Sequence, residues 1–208
     1  MKAMLYAAAI GLLLAGSAVA LTGGRMAEIP LDKMTPAQRT VADAIMSGPR
    51  KGMSGPFNAW LRSPELADRL QKVGEYVRFN TSLDKRLNEM AIIMTAQFWG
   101  SQYEWYAHAP LAIKAGLSPE IVADLKARKR PANMKEDEAA VYDFVTELSA
   151  KHEVSDQTFA RAKQVLGEQQ VVDLTAVSGT YVTVAMILAM AEEGVPPGKE
   201  SPFKPGDP

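Results

Sequence analysis

Apolar residues recur along this chain at spacings of three and four, the period of a helix face and not of a strand. Leu83, Leu87, Met90, Met94 and Phe98 mark one such face, with Ser82 as its predicted cap. Before it, Thr35-Pro36 opens a helix to Met46 that stops at Ser47-Gly-Pro. Ser63-Pro64-Glu65 opens a second, with Leu66, Leu70, Val73 and Val77 as its apolar stripe. After Gly100, Ser101 opens a helix that ends at Gly116; Pro110 inside it predicts a kink or a break near His108. Ser118-Pro119-Glu120 starts a short helix ending in Lys126-Ala-Arg-Lys-Arg130, where cations complement the helix dipole. Glu136 to Lys151 turns Val141, Phe144, Val145 and Leu148 inward, and Ser155 caps a helix over 156–166 closed by Gly167. The last helix, Glu168 to Glu193, is apolar nearly all round from Leu174 to Met190. That run is short for a membrane span, so it predicts burial in a core or between subunits. No stretch alternates as a strand does. The pattern is all-α, with about seven or eight helices.

The ends differ from the middle. Met1-Lys2, the apolar run Ala3–Leu14 and Ala18-Val19-Ala20 together form a secretory signal pattern, predicted to be cleaved after Ala20. An uncleaved anchor over Met4–Leu21 is the alternative. Residues 21–34 are expected to be a flexible lead, 35–194 the folded domain and 195–208 a Pro-rich, poorly ordered tail. The expected location is secreted or periplasmic, with no membrane partner after cleavage. Between the first two helices, Arg50-Lys-Gly-Met-Ser-Gly-Pro56 carries two glycines and a proline. Such a loop can lie against a ligand or a neighbouring subunit, or serve as a connector.

Composition narrows the chemistry. Apolar content of 47% and charged content of 23% suit a globular domain. Loss of Lys2 with the signal leaves 22 basic against 24 acidic side chains, and no basic excess for binding nucleic acid. Cysteine is absent, which removes disulfides, thiol nucleophiles and thiol redox pairs, and two histidines, His108 and His152, cannot make a histidine-rich metal site. His152 reads as a solvated residue near a helix end.

Candidate chemistry gathers at Glu89-Met-Ala-Ile-Ile-Met-Thr-Ala-Gln-Phe-Trp99-Gly-Ser101-Gln-Tyr103-Glu104-Trp105-Tyr106-Ala-His108. On a helix, Glu104 and His108 share one face, as a surface ion pair or as an acid/base pair. Imidazole is the side chain whose ordinary pKa, about 6.5, lies nearest neutrality, so His108 is the natural proton carrier. Glu89 either ties two helices together or orients His108. Arg86 either pairs with Glu89 or grips a substrate carboxylate with its planar fork. Ser101 reads as a helix cap more readily than as a nucleophile. Trp99, Tyr103, Trp105 and Tyr106 divide between core and pocket wall.

At this stretch the chain resembles the carboxymuconolactone decarboxylase family, which includes the alkylhydroperoxidase D-like proteins. The peroxidase branch has Glu, then twelve residues later Cys-x-x-Cys-x-x-x-His, then a Gly-x-Ser helix break. Here Glu89 is followed at that distance by Ser101-Gln-Tyr-Glu104-Trp-Tyr-Ala-His108, then Gly116-Leu-Ser118. Ser101 and Glu104 stand where the two cysteines would be, so the sequence looks like the cysteine-free, decarboxylase-like branch. The likeness covers roughly residues 64–194 and takes in Val171-Val-Asp-Leu-Thr-Ala-Val-Ser-Gly-Thr-Tyr-Val-Thr-Val-Ala-Met.

The resemblance implies an all-α helical bundle whose motif helices line a pocket at a subunit interface of a trimer or hexamer. It places Glu89, Glu104 and His108 in that pocket as catalytic candidates, with Arg86, Trp99, Ser101, Tyr103 and Trp105 as candidate substrate contacts. The implied activity is cofactor-free acid/base chemistry on a small carboxylate or lactone: decarboxylation, isomerisation or ring opening. A non-catalytic binding or assembly protein retaining the fold is the alternative. Thiol peroxidase activity does not carry over, because a serine hydroxyl cannot be oxidised and resolved as a disulfide.

Overall fold

The computed structural model describes residues 24–204, which contain nine α-helices and no strand. They are α1 (Pro36–Ser47), α2 (Phe57–Trp60), α3 (Pro64–Glu75), α4 (Lys85–Phe98), α5 (Gln102–Lys114), α6 (Pro119–Lys126), α7 (Glu136–Lys151), α8 (Asp156–Leu166) and α9 (Glu168–Ala191). The all-α expectation holds, and the single turn α2 and a 3-10 turn, Leu31–Lys33, add elements the periodicity did not mark. The predicted signal segment lies outside the described residues.

Local chemistry sets most boundaries. Thr35 and Gln38 form a reciprocal capping box on α1 behind Pro36. Ser118 caps α6 and Ser155 caps α8 through their hydroxyls. Gly100 and Gly116, at φ 59° and 101°, close α4 and α5 in the left-handed region that glycine tolerates best.

Local expectations change at three helices. The stripe Leu66, Leu70, Val73, Val77 does not face inward as a unit. α3 instead buries Ala67, Gln71 and Gly74, while Leu66 and Val73 are 48% and 47% exposed. Ala67 packs into the cluster formed with α1 and α2, and Gly74 leaves room for the Arg50 side chain, so small residues and not the larger apolar ones lie on the inner face. Ser63, expected as its cap, makes no side-chain cap bond. Asp84, not Ser82, caps α4 by accepting from the Arg86 N–H. Ser82 instead donates its N–H and hydroxyl to Asp173 on α9, at 2.8 and 2.7 Å. α5 runs unbroken through Pro110, and Ser101 precedes it without a side-chain cap bond.

α4 is the central helix. From Arg86 to Gln97 every residue is buried, and α5, α6, α7 and α9 pack around it. A helix enclosed on all sides must find partners for the charged residues within it, here Arg86 and Glu89. α9 contributes Val171, Leu174, Val177, Tyr181, Val184 and Leu188 to the interior and leaves Val172 and Met186 exposed. Its 24 residues are long and apolar enough to cross a membrane by length and composition, yet one face is built into the core.

The described parts of the lead and tail make contacts with the helices. Arg25 pairs with Glu192 at 2.7 Å, and Asn58 Nδ2 donates to the carbonyl of Met26. Near the other end, Phe203 is buried and stacks edge-on against Trp105 at 5.3 Å. Gln102 bonds both backbone groups of Phe203, accepting from its N–H at 2.9 Å and donating to its carbonyl at 3.0 Å.

Candidate active site

α4 and α5 pack against each other and bring Glu89 and His108 together inside the protein. Glu89 Oε2 lies 2.6 Å from His108 Nδ1, and the two residues are 1% and 2% exposed. A buried carboxylate is costly unless paired. Burial drives the Glu89 carboxyl upward, but the His108 hydrogen bond and the Lys85 charge outweigh it, so its pKa sits below the ordinary value. Lys85 Nζ stands 3.5 Å from Glu89 Oε1 at the exposed end. An ionised Glu89 accepts a hydrogen bond from the Nδ1–H of His108, so Nε2 is the ring nitrogen turned toward the cavity groups.

Nε2 faces two further groups. Glu104 Oε2 is 3.4 Å away and the Tyr181 hydroxyl 3.3 Å, with the phenol ring edge-on to the imidazole at 5.1 Å. Burial holds the Glu104 carboxyl above its ordinary pKa and pushes the Tyr181 phenol well above its own. Tyr181 therefore stays a hydrogen-bond donor, and Glu104 is a carboxyl group disposed to keep a proton. A proton can pass between Glu104 and His108 Nε2 while Glu89 steadies the ring.

Glu104, His108 and Tyr181 open onto a cavity of about 110 Å³. Phe57, Trp60 and Val184 give it apolar walls, and Arg50 and Arg78 bring cationic groups to it. Arg78 lies in a π-helical turn, Tyr76–Asn80, that extends α3. Arg50 lies in the glycine-containing loop before α2. That loop is held at Gly55, whose φ is 82° and whose added Cβ would stand 3.1 Å from the Tyr103 ring. Among the described residues no group of three His, Asp or Glu side chains is arranged to hold a metal ion.

The structure brings some of the expected residues together and separates others. Glu104, His108 and Tyr103 line the cavity, and Glu89 stands behind His108 as its closest partner. Arg86 is absent from the cavity wall: its guanidinium bonds Glu138 and Asp137 of α7, each at 2.6 Å, and does not pair with Glu89. Trp105 is core against Phe203, and Trp99 is 46% exposed on a separate shallow groove with His152. Ser101 is buried and absent from the cavity wall. Sequence reasoning missed Arg50, Arg78 and Tyr181. The only signal for Arg50 was its loop, and Tyr181 was hidden in a helix read as uniformly apolar.

Residues 64–147 match the carboxymuconolactone decarboxylase family. No curated protein matches the chain in sequence. Among solved structures it is similar to a protein of unknown function from Agrobacterium tumefaciens, thought to be an antioxidant defence protein, AhpD. That likeness has 18% identity, 69% of this chain and 99% of that one covered, and a TM-score of 0.59. It is also similar to the alkylhydroperoxidase AhpD core of an uncharacterized peroxidase-related protein from Ralstonia eutropha JMP134. There the identity is 15%, the coverage 83% and 92%, and the TM-score 0.67. The matched segment contains Glu89, Glu104 and His108, and the helical fold around it is that of the AhpD-like structures. Over residues 64–147 the chain is thus similar to the carboxymuconolactone decarboxylase family, and its fold is that of the AhpD-like structures.

Proposed function

We propose that the protein is a cofactor-free acid/base enzyme of the decarboxylase-like branch, acting on a small carboxylate or lactone. The observation that carries this reading is the buried Glu89–His108 pair, whose second nitrogen opens with Glu104 and Tyr181 onto the cavity. In a decarboxylation, the bond from the substrate carbon to its carboxylate breaks and the electron pair flows into a conjugated carbonyl. Carbon dioxide leaves, the Tyr181 hydroxyl donates to the developing enolate oxygen, and the proton held between Glu104 and His108 goes to carbon. Run as proton abstraction, with Nε2 as the base, the same groups serve isomerisation. Thiol peroxide chemistry has no cysteine to use.

The test is a panel of lactones and keto acids that separates carbon dioxide release from ring opening, with His108→Ala and Glu104→Gln. General acid/base groups contribute about 10²–10⁴-fold. Losses below about tenfold in both folded variants would defeat the reading. One observation favours the alternative of a non-catalytic binding protein: both His108 nitrogens already meet protein groups. Under that alternative the panel shows binding without turnover.

Export and self-association belong to the same proposal. The signal pattern of residues 1–20 supports the first. The second, with the cavity near a subunit interface, is supported by the exposed apolar side chains Val172, Met186 and Met190 on α9. A single monomeric peak in light scattering at micromolar concentration would remove the claim of self-association.

A further inference from the structure

We infer that Arg50 and Arg78 are the carboxylate-recognition groups of this cavity, so that its ligand enters as a small anion and not as a neutral lactone. This rests on the cavity proposed above as the active site, and it names the chemistry that selects what enters.

The argument begins with charge accounting. Arg86, Arg130 and Arg25 each meet a carboxylate. Arg50 and Arg78 do not: among the described residues neither guanidinium has a hydrogen-bonded or ion-paired side chain, and Arg50 Nε is buried without any partner. What they have is ring faces. Arg50 lies 5.0 Å over Phe57 and 5.6 Å over Phe79, and Arg78 lies 5.3 Å over Phe79. Stacking covers the flat face of a guanidinium and leaves its N–H edge as the remaining site for a carboxylate. The fold also makes room for Arg50, since any side chain at Gly74 would come within 2.8 Å of its Nη2.

A guanidinium withdrawn from water without a hydrogen-bond partner is destabilising unless an anion completes it. Burial lowers the Arg50 pKa, the direction expected of a cation short of compensation. Glu104 is near enough to interact with both arginines electrostatically, but it sits one turn from His108 and is disposed to keep its proton. A carboxylate ligand would satisfy the arginines while its reactive carbon faces His108. Arg50 lies outside the segment matched to the family, so this selectivity comes from a part of the chain the family match does not reach.

The test uses an isosteric pair, crotonate and crotonamide, titrated by calorimetry into the full chain. Crotonate is expected to bind at least about tenfold more tightly, as charge-assisted bonds to guanidinium require. Arg50→Gln and Arg78→Gln should each remove about fivefold or more of crotonate affinity and leave crotonamide unchanged. Arg50→Lys keeps the charge without the planar fork and should fall between. Equal binding of the two probes to the unaltered protein overturns the inference, as does crotonate affinity unmoved in Arg78→Gln and Arg50→Lys. Should Arg50→Gln fail to fold by circular dichroism, those two variants decide. His108→Ala should abolish turnover while keeping the crotonate preference, so loss of the acid/base reading and loss of anion recognition give different results.

Discussion

Glu89 Oε2 and His108 Nδ1 stand 2.6 Å apart, on different helices and nineteen residues from each other in sequence. The helical neighbour Glu104 is the more distant partner of the ring, at 3.4 Å. The orienting carboxylate therefore comes from across a helix pair, where it cannot exchange places with solvent. Glu89→Gln keeps the size but removes the charge that fixes the proton on Nδ1. Turnover is expected to fall about 10²-fold or more with secondary structure retained, measured by steady-state kinetics and circular dichroism.

Glu104 supplies a pH-dependent signature. Its carboxyl is held above the ordinary value, by burial first, so the folded protein binds that proton more tightly than the unfolded chain does. Stability from this group is complete below the unfolded value of 4.5 and is lost as pH rises through the higher folded value. Glu104→Gln mimics the protonated form at every pH. Thermal melts should show the variant gaining on the unaltered protein from about pH 4.5 upward and then holding a constant lead. A constant difference across the whole range would contradict the assignment.

Arg86 is a structural cation. Its side chain and that of Glu138 are 11% and 3% exposed, and Glu138 also accepts from the Lys135 N–H at the start of α7. Arg86→Met leaves Glu138 buried without its cation and should cost about 3–5 kcal/mol in urea unfolding. In the folded fraction, crotonate affinity should be unchanged.

Gly55 fixes the loop that carries Arg50. Alanine there meets a left-handed φ of 82° and the Tyr103 ring at 3.1 Å. The backbone term alone is about 1–2 kcal/mol. Gly55→Ala should lower the melting temperature and weaken crotonate binding together, because the strain is relieved by moving the segment that positions Arg50.

How much of this was legible depended on distance along the chain. Caps and breaks act within a turn, so α1, α7 and α8 could be read from Thr35, Glu136 and Gly167. The buried face of α3 could not, because Ala67 packs with α1 and α2 and Gly74 leaves room for the Arg50 side chain, neither of which periodicity shows. Ser82 reads as a cap until Asp173, 91 residues later, claims it. The Glu89, Glu104 and His108 frame was visible because its spacing is short and repeats a known pattern. The cavity was only half visible, since Arg50, Arg78 and Tyr181 come from three distant segments.

The clasp of Gln102 on Phe203 has a practical side. Gln102 is the first residue of α5, the helix that carries Glu104 and His108. A truncation ending at Gly194, where the sequence suggests the domain is complete, would strip the cover from Trp105 and remove the contacts of Phe203 with the first turn of that helix. Chains shortened before Phe203 are thus poor vehicles for assaying this protein, because they lack a piece of the packing around α5.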